Sequence, residues 1–310
     1  MHAVVNAAIP IFALILIGFL SARFGGFDAR ATDNLNRFAV YLALPALMFI
    51  AMSKITPEQI RQLGFSGAFL GGIALTFALG FTLRRVRERG VANASIEGLD
   101  ASYSNVGFMG IPLCLLALGP ESVPVAIIAT LLTACVLFLF AIILIEFELG
   151  KGVTLLHTIR KATLSLVRSP LLIAPSAGLF LGLSGLSMPA PAERLATLLG
   201  GAASPCALVC IGFFLAQERV VSDDFVSIGI LALLKLIVQP TITAILALYV
   251  FKMPPLWSHA AVLLSALPIG SGPFTIAKLY GLEAGVTSGA ILLSHLCSVV
   301  TVSILVAWLS

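Results

Sequence analysis

Apolar runs of eighteen or more residues recur along the whole of this 310-residue chain, and no other feature constrains its fold as strongly. A hydrocarbon layer of about 30 Å is crossed by about 20 helical residues at a rise of 1.5 Å each, so such runs are long enough to span it. Water is absent at that depth, and a spanning segment must bond its own peptide groups. The chain therefore reads as an all-α, multi-pass membrane protein. Composition agrees: 10% of residues are charged, against roughly 25% in soluble domains. The first run has neither a basic leader nor a cleavage site, so it reads as a span and not a signal peptide.

On that length rule the sequence predicts ten spans, at about 3–23, 34–53, 64–84, 100–118, 122–146, 169–186, 194–217, 226–251, 257–280 and 284–308. Lysine and arginine are distributed very unevenly between alternate loops. One set holds Arg23, Arg30, Arg37, Arg84, Arg85, Arg87, Arg89, Lys151, Arg160, Lys161, Arg168, Arg219 and Lys278; the other holds Lys54, Arg61, Arg194 and Lys252. Thirteen against four, with Lys235 inside a span, places the first set in the cytoplasm and both termini outside. The expected location is a cell inner (plasma) membrane. The net charge of +4 is spent on these loops, which removes nucleic acid as an expected partner. All five cysteines fall in apolar stretches without a C-x-x-C pair, so no disulfide framework, metal or cofactor site is expected.

The one substantial hydrophilic connection, 147–168, is expected to be a cytoplasmic linker with an amphipathic helix at the interface. It divides the chain into five spans at 1–146 and five at 169–310. An odd number per half inverts the second half in the membrane, so a repeat between the halves would be an inverted one. The interruptions match in order: Pro10 with Pro175, Pro45 with Pro205, and "SNVGFMGIPL" at 104–113 with "LPIGSGPFTIAKLYG" at 267–281. A single proline or glycine in a span is commonly a kink or a packing site. Paired breaks in corresponding spans are the pattern of a transporter binding site.

Such breaks, in spans four and nine, have chemical content. Each half-helix that restarts presents free N–H groups suited to a carboxylate, and each half-helix that ends presents free carbonyls suited to a cation or donor. Gly107, Gly110, Gly270 and Gly272 would give the two backbones clearance, and Pro112, Pro268 and Pro273 would interrupt them. Asn105 is the foremost polar candidate, either contacting substrate or capping the broken helix, with Ser104, Tyr103 and Ser271 beside the breaks. Lys235 in span eight has two readings, a snorkelling surface lysine or a cation facing the breaks, and Gln239 one turn on would share its face. Asp100, Lys235 and His295 are the candidates for proton coupling, each with the alternative of a structural role.

"LNRFAVYLALPALMF" at 35–49, "SNVGFMGIPL", "LKLIVQP" at 234–240 and "LPIGSGPFTIAKLYG" together resemble the auxin efflux carrier family, which includes plant auxin exporters and bacterial permeases for malonate, malate and related acids. The resemblance implies a ten-helix inverted repeat similar to bile acid:sodium symporters and sodium/proton antiporters. It implies a scaffold of spans one, two, six and seven and a transport domain of spans three to five and eight to ten that moves as an elevator. It also implies a homodimer joined through the scaffold. Asn105 matches the family's crossover asparagine and Pro268 its second crossover proline, while Ser104 stands where plant sequences often have proline.

The expected function is secondary transport of small organic anions, mono- or dicarboxylates, with a co-transported proton, sodium or no ion. A sodium-coupled symporter of the same fold is the alternative. An intramembrane enzyme is disfavoured because H-E-x-x-H, paired aspartates and G-x-S-x-G are all missing, and a P-loop is missing too. A passive channel would differ in not saturating with substrate.

Overall fold

In the computed structural model, residues 8–60, 62–88, 90–149, 160, 164, 167–186, 188–217 and 224–309 are described. The expected linker at 147–168 lies almost wholly outside them. Besides a single turn at Pro57–Ile60, the helices in chain order are α1 (Ile9–Phe24), α2 (Ala29–Ser53), α3 (Leu63–Glu88), α4 (Val91–Ser102), α5 (Val106–Leu118) and α6 (Pro120–Leu149). Then come α7 (Pro170–Ser184), α8 (Ala190–Gln217), α9 (Phe225–Val250), α10 (Pro255–Ser265), α11 (Gly272–Tyr280) and α12 (Gly285–Leu309). Six of them, α2, α3, α6, α8, α9 and α12, are long and apolar enough to cross a membrane. Among the described residues there is no strand beyond one isolated bridge, Ser104 to Ile269.

Two corrections to the expected spans have physical causes. Helix α4 begins at Val91, well before the expected start at 100. Asn93, Glu97 and Asp100 depress the hydropathy there, yet the side chains from Ala94 to Ser102 are all buried in protein. The helices are also not α-helical throughout. Five-residue π-helical stretches at Ala39–Ala43, Val106–Gly110 and Leu234–Val238 each end two residues before a proline, at Pro45, Pro112 and Pro240. Proline lacks an N–H and crowds the carbonyl four residues back, and a widened turn relieves that clash without breaking the helix.

The chain forms two compact units. The first, Met1–Leu63 with Gly107–Ile127 and Ser165–Glu218, packs α1 on α8 and α2 on α7. Glycine sets both contacts: a Cβ at Gly18 would strike the Val209 carbonyl, one at Gly212 the Ile15 carbonyl, and one at Gly178 the Phe49 carbonyl. Lipid tails are as apolar as leucine, so helices in a membrane gain most by approaching closely over small residues. Gly107, Gly110, Pro112, Pro45 and Pro205 all lie in this unit.

The second unit, Gly64–Val106 with Ile128–Leu164 and Arg219–Ser310, holds α3, α4, α6 from Ile128 on, and α9 to α12. Gly64, Gly67, Gly71 and Gly72 line one face of α3 and receive Phe251, Leu246 and Thr243 from α9 and the turn after it. At the far end of α3, Arg84 is bound to Glu97 of α4 at 3.1 Å and to Glu283, before α12, at 2.7 Å.

Candidate functional site

Within the second unit, α4 ends at Ser102 and α10 ends at Ser265, each leaving a short non-helical stretch before a helix restarts at Val106 and at Gly272. A broken helix exposes amides that must find partners. Here the two interruptions partner each other. The Asn105 N–H donates to the Pro268 carbonyl at 2.9 Å and the Gly270 N–H donates to the Tyr103 carbonyl at 3.1 Å, the antiparallel bridge centred on Ser104 and Ile269. The Ile269 N–H is taken by Ser294 Oγ of α12 at 3.1 Å. Closeness explains the glycines: a Cβ on Gly270 would lie 2.7 Å from the Tyr103 ring, and one on Gly272 would strike Phe138. The Tyr103 and Phe138 rings stack with centroids 4.6 Å apart.

The carbonyl ends of the two first half-helices are capped from a single helix. Lys235 Nζ donates to the Ser265 carbonyl at 2.6 Å, and Gln239 Nε2 donates to the Ser102 carbonyl at 3.0 Å. Ser102 and Ser265 each stand three residues before a partner in the bond from the Asn105 N–H to the Pro268 carbonyl. Lys235 and Gln239 have 0% exposure and lie one turn apart on α9, so the lysine does not run to an interface. A cation and an amide donor at these positions complement the partial negative charge at a helix C-terminus.

Asn105 Nδ2 lies 3.4 Å from His295 Nε2, and the other ring nitrogen of His295 bonds the Ile291 carbonyl at 2.9 Å. Asp100 is wholly buried and accepts from Thr287 Oγ1 at 2.8 Å. Three buried oxygens around these residues, Asp100 Oδ1, Ser104 Oγ and Gln239 Oε1, have no hydrogen-bond partner among the described residues. Ser271 is exposed at the start of α11, and its carbonyl takes the Thr275 hydroxyl.

Twelve residues singled out in the sequence thus lie in the second unit: Asp100, Tyr103, Ser104, Asn105, Lys235, Gln239, Pro268, Gly270, Ser271, Gly272, Pro273 and His295. Phe138, Thr287 and Ser294 belong to the same constellation without having been singled out. A signal existed for two of them, because Thr287, Ser288, Ser294, His295 and Ser298 put polar groups at helical spacing in an otherwise apolar run, and all five are buried. A separate cleft in the first unit, bounded by Leu47, Lys54, Gln59, Leu115 and Glu121, contains none of the expected site residues. Among the described residues no group of three or more His, Cys, Asp or Glu is placed to hold a metal ion.

A chain of apolar spans with paired interruptions is transporter architecture, and the comparison with known proteins decides the family. The model of the family described as "Membrane transport protein" matches residues 3–306. This chain belongs to the auxin efflux carrier family of membrane transport proteins. It is 33% identical to the "Putative malonate transporter" of Rhizobium meliloti (strain 1021) over 98% of this chain and 95% of that one. It is 23% identical to "Auxin efflux carrier component 8" of Arabidopsis thaliana, over 97% and 95% of the two chains. It is 24% identical to the "Uncharacterized transporter YfdV" of Escherichia coli (strain K12), over 94% and 93%. The chain is a multi-pass membrane transporter, a role distinct from an enzyme's.

Proposed function

We propose that this carrier moves small organic anions, mono- or dicarboxylates, by secondary transport, with the anion held where the two interruptions meet. One observation carries the reading: the reciprocal bonds between the breaks at 103–105 and 266–271 hold the approach to α11 beside Asn105. A restarting helix N-terminus with a side-chain amide near it suits an anion. The ends of opposite polarity are already occupied by Lys235 and Gln239. The relative named for malonate supports a carboxylate.

We further propose that the fold is a ten-helix inverted repeat and that the second unit shifts as an elevator against the first. The reciprocal contacts in the first unit support the repeat: α1 meets α8 through Gly18 and Gly212, and α7 meets α2 through Gly178 and Gly182. Under the repeat α1 corresponds to α7 and α2 to α8, so the two pairings are one contact seen twice. Support for a scaffold of spans one, two, six and seven comes from their membership of the first unit, which also contains Gly107–Ile127. A homodimer through the first unit, an inner-membrane location with both termini outside, and a co-transported proton or sodium complete the proposal.

Proteoliposome uptake of malonate, malate, succinate and pyruvate, at two pH values with and without sodium, tests it. Saturable uptake of at least one acid is expected, and Asn105→Ala should abolish it while the protein still melts cooperatively in detergent. Undiminished uptake by that variant would remove the anion from the breaks.

A further inference from the structure

The contact between Asn105 and His295 fixes which end of the amide meets the imidazole. His295 Nδ1 lies 2.9 Å from the Ile291 carbonyl. A carbonyl only accepts, so Nδ1 carries the hydrogen, and in a neutral imidazole Nε2 is then an acceptor. Asn105 donates to that nitrogen through Nδ2 at 3.4 Å. Its Oδ1 makes no hydrogen bond among the described residues. Asn105 therefore keeps a carbonyl oxygen unengaged at the break, although a carboxylate needs donors.

We propose that a proton taken up at Nε2 of His295 reverses the Asn105 amide and thereby couples anion binding to protonation. This rests on the carboxylate reading of the site given above. Imidazole plus one proton becomes imidazolium, in which both nitrogens donate. A protonated Nε2 cannot face an NH2 group, but it can donate to Oδ1, which a half-turn about the last side-chain bond of Asn105 brings round. The same half-turn delivers both N–H groups of Nδ2 to the place that Oδ1 held. No backbone atom moves, so the bond from the Asn105 N–H to the Pro268 carbonyl is kept. Asn105 is 9% and His295 6% exposed, so little water is at hand to repair a mismatched pair. Proton and anion select one state of the amide, and each strengthens the binding of the other equally. Release of the anion returns the proton from Nε2 to water. His295 is on this account a positioning residue that acts through Asn105.

The ionisable groups on the elements packed against α12 are otherwise engaged or elsewhere. On α4, Asp100 is bonded to Thr287 and Glu97 to Arg84; on α9, Lys235 is bonded to Ser265, and Tyr249 is exposed near the end of the helix. On α11, Tyr280 is bonded to Glu146 and Lys278 lies over the Phe274 ring; α10 carries His259 in its first turn and a half. None of them hydrogen-bonds the His295 ring.

The test is isothermal calorimetry of malonate binding to the purified full chain at pH 7.5, where malonate is already ionised, in buffers of differing ionisation enthalpy. The wild type should take up protons as malonate binds, up to one per malonate, as reciprocal coupling requires. His295→Gln should bind malonate at least roughly tenfold more weakly, about the effect of one lost charge-assisted bond, and take up no proton. A second measurement uses the wild type alone: with histidine 15N label, saturating malonate should convert the ring of His295 from the Nδ1–H tautomer to the doubly protonated form. Binding by the wild type without proton uptake, uptake that persists in His295→Gln, or a ring that stays neutral in the saturated complex overturns the coupling and leaves the anion site standing. A wild type that binds no carboxylate overturns the anion site itself, and the coupling with it.

Discussion

Lys235 Nζ and the Ser265 carbonyl, joined at 2.6 Å, place the amino group of one helix on the interrupted end of another. Gln239 does the same for Ser102 one turn further along α9. The two helix ends that would otherwise carry unpaired carbonyls into an apolar unit are thus held by one neighbour. On the function proposed above, Asn105 and the start of α11 remain for the ligand.

Replacing Lys235 with Met should keep the stem's apolar packing and remove only the donor to Ser265. An acceptor left unpaired in a buried setting costs about 1–3 kcal/mol. A lower melting temperature in detergent is expected, together with reduced anion uptake, and Gln239→Leu should repeat the pattern through Ser102. A Lys235→Met protein that melts and transports like the wild type would mean that the Ser265 carbonyl finds another donor.

Glycine substitutions in the first unit should divide sharply by position. A Cβ at Gly178 would strike the Phe49 carbonyl, and main chain cannot rotate away as a side chain can. Gly178→Ala is expected to lose about 1–3 kcal/mol, as overpacking does. Gly201 has nothing within 4 Å of its Cβ position, and Gly201→Ala should be neutral or slightly stabilising. Thermal melts of the two variants side by side check this.

How far the sequence discloses this architecture depends on whether the signal is local. The second interruption is legible because Gly270, Gly272 and Pro273 act on their own backbone; at the first, Gly107, Gly110 and Pro112 lie past the non-helical stretch, inside α5. Helix α4 is not legible, since hydropathy penalises Glu97 and Asp100 as though each faced lipid, whereas Arg84 and Thr287 receive them. The partners of Ser102 and Ser265 are not legible either. A main-chain carbonyl looks alike in every residue, and Gln239 reaches one 137 positions away. His295 could be named as a buried imidazole, but its bond to Asn105 spans 190 positions and has no trace in spacing.

Asp224 caps the start of α9, accepting from the Ser227 N–H at 3.0 Å. Bonds from the Ser227 hydroxyl and amide hold its carboxyl below the usual carboxylate range, with a smaller contribution from Arg87. A carboxyl whose folded value is depressed contributes stability above its unfolded value, and that contribution is lost as pH falls through the folded one. Asp224→Asn keeps an acceptor for the cap and removes the charge. The melting difference between wild type and Asp224→Asn should therefore be present at neutral pH and vanish as acid protonates Asp224. Exposure of the pair to solvent keeps the difference small.

The Arg84 cluster should respond unequally to the loss of its two carboxylate contacts. The Arg84 side chain is 6% exposed and that of Glu97 9%, whereas Glu283 is 64% exposed at the outer edge. Replacing Arg84 with Met breaks its bond to a buried carboxylate and should cost the more, up to the roughly 3–5 kcal/mol seen when a buried pair is broken. Replacing Glu283 with Gln leaves the Arg84–Glu97 pair in place and removes a contact that water largely screens, worth about 0–1 kcal/mol. Glu283 also joins α12 to α3 just beyond Gly281, whose left-handed conformation ends α11. Its loss should therefore appear first as faster hydrogen exchange at the end of α11, with the global melt scarcely moved. The reverse order, with Glu283→Gln unfolding the protein and Arg84→Met tolerated, would show that the exposed bond and not the buried pair holds this end of the second unit together.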